Sequence, residues 1–351
     1  MTFHQIVHSI PEWLNGQGPE SGMVISSRAR LARNIMGIPY AHRIDESKQG
    51  EVVTSVLESG AAAGFDVANY FPNTDLDDHQ KKIFIERQLI SQALAAKSGK
   101  CGVLVKNGEM SSILINEEDH LRIQSFRSGF DPMEAFVAAD EIDNKLSEVI
   151  EFSFSNQYGY LTACPTNMGT GLRVSILVHL PALVITKEIQ RVIRSSGQLG
   201  LAVRGYFGEG SDIVGNLFQI SNQRSLGKSG YEIVDTLISV VTRIIEYEKQ
   251  AAETLIKEAK SQTEDKVWRS IGILKTARVL STHEFMNLSS AARLGCYLNM
   301  LDRNYLLILN ELLVLTQPEH LQEYTGQRAE AMERDYLRAE LIRERFVDLR
   351  M

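Results

Sequence analysis

The segment CGVLVKNGEMSSILINEEDHLRIQSF, residues 101–126, carries three short runs rich in apolar and β-branched residues: CGVLVKN (101–107), SSILINE (111–117) and HLRIQSF (120–126). Runs of this length, separated by turn formers, predict strands. Between the first two, KNGE predicts a hairpin, because Asn107 and Gly108 tolerate the positive φ angles of a tight turn.

Working outward, apolar spacing predicts helices over 43–65 and 77–97, the second on Ile83, Phe84, Leu89, Ile90 and Leu94. A further helix is expected over 133–146. Strand-like runs then return as EVIEFSFS (148–155), LTACP (161–165), RVSILVHLP (173–181), GLAVRGYF (200–207) and GNLFQISNQ (215–223), with a helix near 182–196. Regular strand–helix alternation is missing, so an α+β fold with an antiparallel or mixed sheet and helices on one side fits better than a doubly wound one. From residue 229 the chain turns helical: YEIVDTLISVVTRIIEYEKQAAETLIKEAK (231–260) has no glycine or proline and predicts one long helix. Others are expected over 264–280, 284–299 and 328–346, with Ser281 and Glu284 as a capping box. The character changes within 240–262, giving a catalytic-type domain over 1–250, with its core at about 20–240, and an all-helical domain over 251–351.

The 351 residues, 44% apolar and 23% charged, describe an ordinary soluble protein rather than a disordered or repetitive one. Neither a secretory signal nor a membrane span is evident, so a cytoplasmic location and no membrane partner are expected. Cys101, Cys164 and Cys296 are too scattered for a disulfide lattice or zinc cluster. A net charge of −7 argues against nucleic-acid binding.

Four islands carry chemistry: SSRARLARN (26–34), NEEDHLR (116–122), CPTNMGTGLR (164–173) and RGYFGEG (204–210). Arg28 and Arg30, two apart, point to one side of an extended segment, where their planar donor arrays suit phosphate; a solvated basic edge is the bland alternative. The acidic run 117–119 is equally readable as a solvated turn. The two glycines flanking Thr170 permit a phosphate-cradling turn completed by Arg173, although no Walker lysine is present. Cys164 is open between a structural role and one beside a reacting group. If the islands meet, five arginines, namely Arg28, Arg30, Arg122, Arg173 and Arg204, would hold phosphate, while Glu118 and Glu209 would hold a cation. That set suits phosphoryl transfer.

In this order the four islands, with ISNQRSLGKS after them, resemble the catalytic domain of the phosphagen (guanidino) kinases over roughly residues 20–240. The layout is similar to the bacterial branch that phosphorylates arginine in proteins. In metabolic members a helical domain precedes the first arginine pair, whereas here that pair is Arg28 and Arg30, and helical sequence follows the catalytic region. The resemblance implies ATP as co-substrate, with Mg2+ held mainly through its phosphates and no protein metal site. It implies nucleotide contacts from the five arginines, from Val174, Ser175, Ile176 and Leu177, and from Gly205, Tyr206, Phe207, Gly208 and Glu209. Glu118 and Glu209 would grip a substrate guanidinium, with Cys164 assisting its placement. In RDYLRA (334–339), Arg334, Asp335 and Arg338 would form an allosteric phosphoarginine site.

Also implied are a homodimer, an activator protein McsA, the partners ClpC and CtsR, and a stress-response role marking proteins for Clp-dependent degradation. A metabolic arginine kinase and a non-catalytic phosphoarginine-binding adaptor are the alternatives. Three positions depart from the family pattern: Leu177 and Gln88 stand where histidines are usual near the nucleotide, and Gly230 where a glutamate is usual.

Overall fold

A computed structural model describes residues 1–206, 213–347 and 349. Its strands are β1 (Val24–Arg33), β2 (Tyr70–Pro72), β3 (Gly102–Val105), β4 (Ser111–Ile115), β5 (Leu121–Ser128), β6 (Phe154–Ser155), β7 (Gly159–Tyr160), β8 (Leu172–His179), β9 (Leu201–Gly205) and β10 (Leu217–Asn222). Eight form one sheet in the order β2-β3-β4-β5-β1-β8-β10-β9, and β6 pairs with β7 alone. Every described pairing is antiparallel, which narrows the expected antiparallel-or-mixed sheet to the first.

The helices of the sheet region are α1 (Phe3–His8), α2 (Glu46–Ala62), α3 (Asp78–Glu86), α4 (Gln92–Ala95), α5 (Pro132–Ser147), α6 (Pro181–Ile185), α7 (Ile189–Gln198) and α8 (Gly230–Glu258). Ala29, Leu31, Ile123, Val174, Ile176 and Ile220 turn to one face of the sheet. There they share a core with Val52 and Val56 of α2, Phe136 and Ile142 of α5, and Leu237 and Val241 of α8. Strand side chains alternate between faces, so their neighbours in sequence face the other way. α9 (Lys260–Thr276), α10 (Thr282–Tyr297), α11 (Arg303–Leu315), α12 (Pro318–Thr325) and α13 (Ala331–Phe346) build a second core. This core takes in Trp13, Phe126, Leu177 and Tyr206 from the opposite side.

Several expectations change. The helix expected over 77–97 breaks after Glu86: Arg87 turns inward onto Glu109, Gln88 takes φ 62°, and Ser91 caps the short α4. The same buried pair reshapes the predicted hairpin. Gly108 and Glu109 adopt φ 77° and 59° in a 3-10 turn that tucks the Glu109 carboxylate against Arg87. Of 148–155 only β6 is a strand, and 161–165 is none, because side chains claim its backbone: Asn34 donates to the Leu161 carbonyl and Asp119 accepts from Ala163 N–H. The helix near 182–196 divides at Lys187, φ 64°. α11 and α12 were not expected; α11 is apolar on most sides and so shows no polar face. Ser281 accepts from Glu284 N–H, one half of the predicted box.

α8 fulfils the expected long helix and carries a buried acid. Glu248, 1% exposed, accepts from the N–H groups of Ala182 and Leu183 at the start of α6 (2.7 and 2.9 Å). Burial nevertheless raises its pKa to about 7, against which these two hydrogen bonds pull downward. The folded state therefore binds the extra proton between the ordinary glutamate range and pH 7, and its stability falls as pH rises through that window. The expected loss is on the order of 3 kcal/mol. Urea unfolding at pH 5, 7 and 8.5 should show this decline, and Glu248→Gln should flatten it; an unchanged slope in the variant would assign the titration elsewhere.

Candidate active site

On the sheet face away from α5 and α8, β1 presents Arg28 and Arg30. The antiparallel registers bring the rest. Arg30 lies opposite Arg173 of β8 and Gln124 of β5, Ala32 opposite Arg122 of β5, and Arg204 of β9 opposite Gln219 of β10. Directly opposed residues project to one face, so five arginines from four strands share one surface. They line two adjoining clefts of about 800 and 850 Å³. Arg30, Arg122, Arg173 and Arg204 border both. Glu118, Cys164, Thr166 and Asn167 complete the first, and Arg28, Gln88, Gln124 and Tyr206 join the second.

This concentration of charge is costly without an anion. Burial, then repulsion from Arg173 and Arg122, lowers the Arg28 pKa to about 10. Burial and the charges of Arg28, Arg122 and Arg173 push Arg30 further down. Arg28 Nε and Arg30 Nε are shielded from solvent and make no hydrogen bond. Acceptors steady the cluster: Gln88 Oε1 takes Arg28 Nη1 at 3.0 Å, Glu117 Oε1 takes Arg122 Nη1 at 2.9 Å, and Ser221 Oγ takes Arg173 Nη2 at 3.3 Å. Glu117 is thus buried, 5% exposed, and not part of a solvated turn.

Glu118 differs from its neighbour. Its side chain is 44% exposed and 3.6 Å from Arg122 Nη2, and Cys164 lines the same cleft, its Sγ 3.0 Å from Thr166 Oγ1. Partial burial, then the adjacent Asp119 charge, raise its pKa. Asp119 is itself buried and clamps the site: one oxygen accepts from Asn34 Nδ2 and from Ala163 N–H, both at 2.7 Å. Its carboxylate therefore fixes the Cys164 segment relative to Glu118.

The glycines flanking Thr170 serve packing. A Cβ at Gly171 would lie 2.6 Å from the Ala32 carbonyl oxygen, and one at Gly169 2.8 Å from Leu226 Cα. Likewise Gly230 leaves room for the Phe136 ring, 2.5 Å from where its Cβ would stand, so a glutamate there would displace a core aromatic.

Of the β8 candidates, Ser175 and Leu177 face a narrow cavity with Trp13, Arg28, Phe126 and Tyr206. Val174 and Ile176 are turned into the helix-side core with no exposed surface. Gly205 and Tyr206 are buried at the end of β9, whereas Phe207, Gly208 and Glu209 lie outside the described residues. In α13, Arg338 is 1% exposed and donates to the carbonyls of Thr316 and Leu280 and to Asp335 (3.0, 2.8 and 2.5 Å). Arg334 is half-buried and donates to the Ala329 carbonyl.

The turn ending α3 ties the clefts to these helices. Glu86 accepts from Glu319 and His320 N–H at the start of α12 (3.0 and 2.7 Å). Arg87, fully buried, meets His320 Nε2 at 2.8 Å, and Gln88 holds Arg28. Sequence reading missed Glu117, Asp119, Asn34, Gln124 and Trp13 as site-building residues. The signals were the adjacency of Glu117 and Asp119 to Glu118 and the place of Asn34 at the end of the 26–34 island.

A helix-backed antiparallel sheet that offers five arginines beside a carboxylate and a thiol suits a guanidino phosphotransferase, and residues 50–251 match the ATP:guanido phosphotransferase C-terminal catalytic domain. A lombricine kinase structure is similar, with TM-score 0.58 and 27% identity over 72% of this chain and 76% of that one. So is a duplicated taurocyamine kinase from Schistosoma mansoni bearing transition-state-analogue components: TM-score 0.59, 24% identity, 70% of this chain and 35% of that chain. Residues 260–351 match the protein-arginine kinase McsB C-terminal domain. The chain is 44% identical to the protein-arginine kinase of Halothermothrix orenii over 96% of its length and 97% of that relative's. It is 42% identical to that of Bacillus subtilis over 97% and 95%. The chain belongs to the protein-arginine kinase family.

Proposed function

We propose that this protein transfers the γ-phosphoryl group of ATP to the guanidino group of arginine residues in proteins. The observation that carries this reading is the single cationic face of Arg28, Arg30, Arg122, Arg173 and Arg204 with Glu118 at its border. Positioning and neutralising the phosphoryl oxygens dominate such a transfer. The arginines would hold the triphosphate and the migrating group. Mg2+ would be held mainly through the phosphates, whose charge it would neutralise.

Guanidinium is a weak nucleophile because its lone pairs are delocalised. Glu118 would fork onto the planar group with Glu209, orient one nitrogen in line with the γ-phosphorus, and take that nitrogen's proton as the N–P bond forms and ADP leaves. A raised Glu118 pKa supports the proton-accepting role, since it brings the base closer to working pH. Cys164, which lines the same cleft as Glu118, would help place the substrate.

Arg334 and Asp335 would meet phosphoarginine from the accessible side of α13, and Arg338 would support them from within; this reading makes the helical region a product sensor. A homodimer, cytoplasmic action, activation by McsA and cooperation with ClpC and CtsR complete the proposal. Among the described residues no helix is long and apolar enough to cross a membrane.

Incubation with ATP, Mg2+ and a reduced, unfolded arginine-containing protein should yield acid-labile phosphoarginine, located by peptide mass spectrometry at neutral pH. Phosphorylation confined to free arginine would overturn the assigned substrate.

A further inference from the structure

A cleft of about 960 Å³ lies on the far side of the loop that carries Cys164. Its rim carries three exposed apolar or aromatic side chains: Phe154, Tyr158 and Leu226 are 52%, 43% and 49% exposed, with Tyr160 and Phe136 beneath. Its charged lining is balanced, two residues of each sign: Asp143 Oδ2 takes Arg33 Nη2 at 2.7 Å, the Arg33 guanidinium stacks 3.4 Å from the Tyr160 ring centre, and Asp140 and Lys228 add one charge each. A concave, aromatic-edged surface whose lining carries no net charge favours an apolar side chain over a cation.

The loop is a common wall. Gly169 and Thr170 border this cleft, while Thr166, Asn167 and Gly171 border the one containing Glu118. Gly169 and Gly171 are two residues apart, so the rims are within about 7 Å. The aromatic side is also built onto the loop: Tyr160 N–H donates to the Gly169 carbonyl at 2.8 Å, and Ser225 Oγ donates to the Met168 carbonyl at 2.9 Å.

We infer that this cleft receives a large apolar side chain of the polypeptide being phosphorylated, a few residues along from the arginine that enters the Glu118 cleft. The inference rests on the protein-substrate reading above and names the feature, beyond arginine itself, that the enzyme selects. An extended chain advances about 3.3 Å per residue, so about two residues cross the shared wall, and about one or two more at each end carry the side chains into the two clefts. Extended segments with an accessible tryptophan, phenylalanine or leucine a few residues from an arginine are commoner in unfolded chains, where such side chains are not buried in a core.

The test compares 15-residue peptides with one central arginine. One set carries tryptophan four residues before or after it, and the other carries only glycine and serine. The native enzyme should phosphorylate one tryptophan peptide about tenfold better in kcat/KM, mainly through KM. Phe154→Ser with Tyr158→Ser should abolish that preference while leaving turnover of the glycine–serine peptide, KM for ATP and the melting temperature unchanged. Tyr158→Ser alone should lose part of it. A preference that survives the double substitution, or a native enzyme that accepts both peptides equally, overturns the inference. If neither peptide is phosphorylated, the protein-substrate reading itself fails, and this one with it.

Discussion

Replacing Glu118 by glutamine is expected to lower kcat by about a thousandfold while leaving the melting temperature within about a degree of the native value. Glutamine keeps the shape and one acceptor, so substrate binding should weaken far less than turnover. The structural cost is small because the carboxylate is 44% exposed and its 3.6 Å approach to Arg122 is the long, solvent-screened kind of ion pair. Glu117 provides the control. It is buried, pairs with Arg122 at 2.7 Å and accepts the Ser91 hydroxyl, so Glu117→Gln should destabilise the fold and misplace Arg122. Neighbouring glutamates should therefore separate into a chemical phenotype and a structural one. Because partial burial and Asp119 raise the Glu118 pKa, the acid limb of the native kcat profile should lie above the ordinary glutamate range. Asp119→Asn should shift that limb downward. Normal turnover in Glu118→Gln would remove this residue from the proposed proton transfer.

That separation marks where sequence reading stops. The pairing of Arg28 with Arg30 was legible because a two-residue step in an extended chain returns to the same face. Their meeting with Arg122, Arg173 and Arg204 depends on cross-strand register, which periodicity does not encode and the family resemblance alone suggested. Similarly, 116–122 reads as one acidic run. Asn116, at φ 58°, starts the turn that buries Glu117 and Asp119 and leaves Glu118 outward. The break in the helix expected over 77–97 was hidden for the same reason. Nothing local forbids continuation at Arg87; a partner 22 positions away, Glu109, pulls it inward. Long helices with a strong apolar stripe were readable, whereas α11, apolar on most sides, offered no stripe to count.

The second large effect concerns stability. Arg30 sits among Arg28, Arg122 and Arg173, its Nε shielded and without a partner, and its charge is disfavoured by burial and by all three neighbours. Replacing such a charge by an apolar side chain of similar length removes repulsion and a desolvation penalty together. Arg30→Met should therefore raise the melting temperature of the nucleotide-free protein by about 2–4 °C, while kcat/KM falls at least about a thousandfold for want of a phosphoryl contact. Tripolyphosphate sharpens the comparison. It should stabilise the native protein by filling the cationic face, and a ligand that binds only the folded state raises stability in proportion to its occupancy. The variant, already relieved of one repelling charge, should gain much less. Scanning fluorimetry of both proteins with and without tripolyphosphate reads all four states. Should the nucleotide-free variant melt below the native protein, Arg30 is serving the fold, and the cost assigned to its buried charge is misplaced. A higher melting temperature with lost activity would mean that the sheet holds Arg30 against the repulsion of Arg28, Arg122 and Arg173, and that a bound polyphosphate offsets that repulsion.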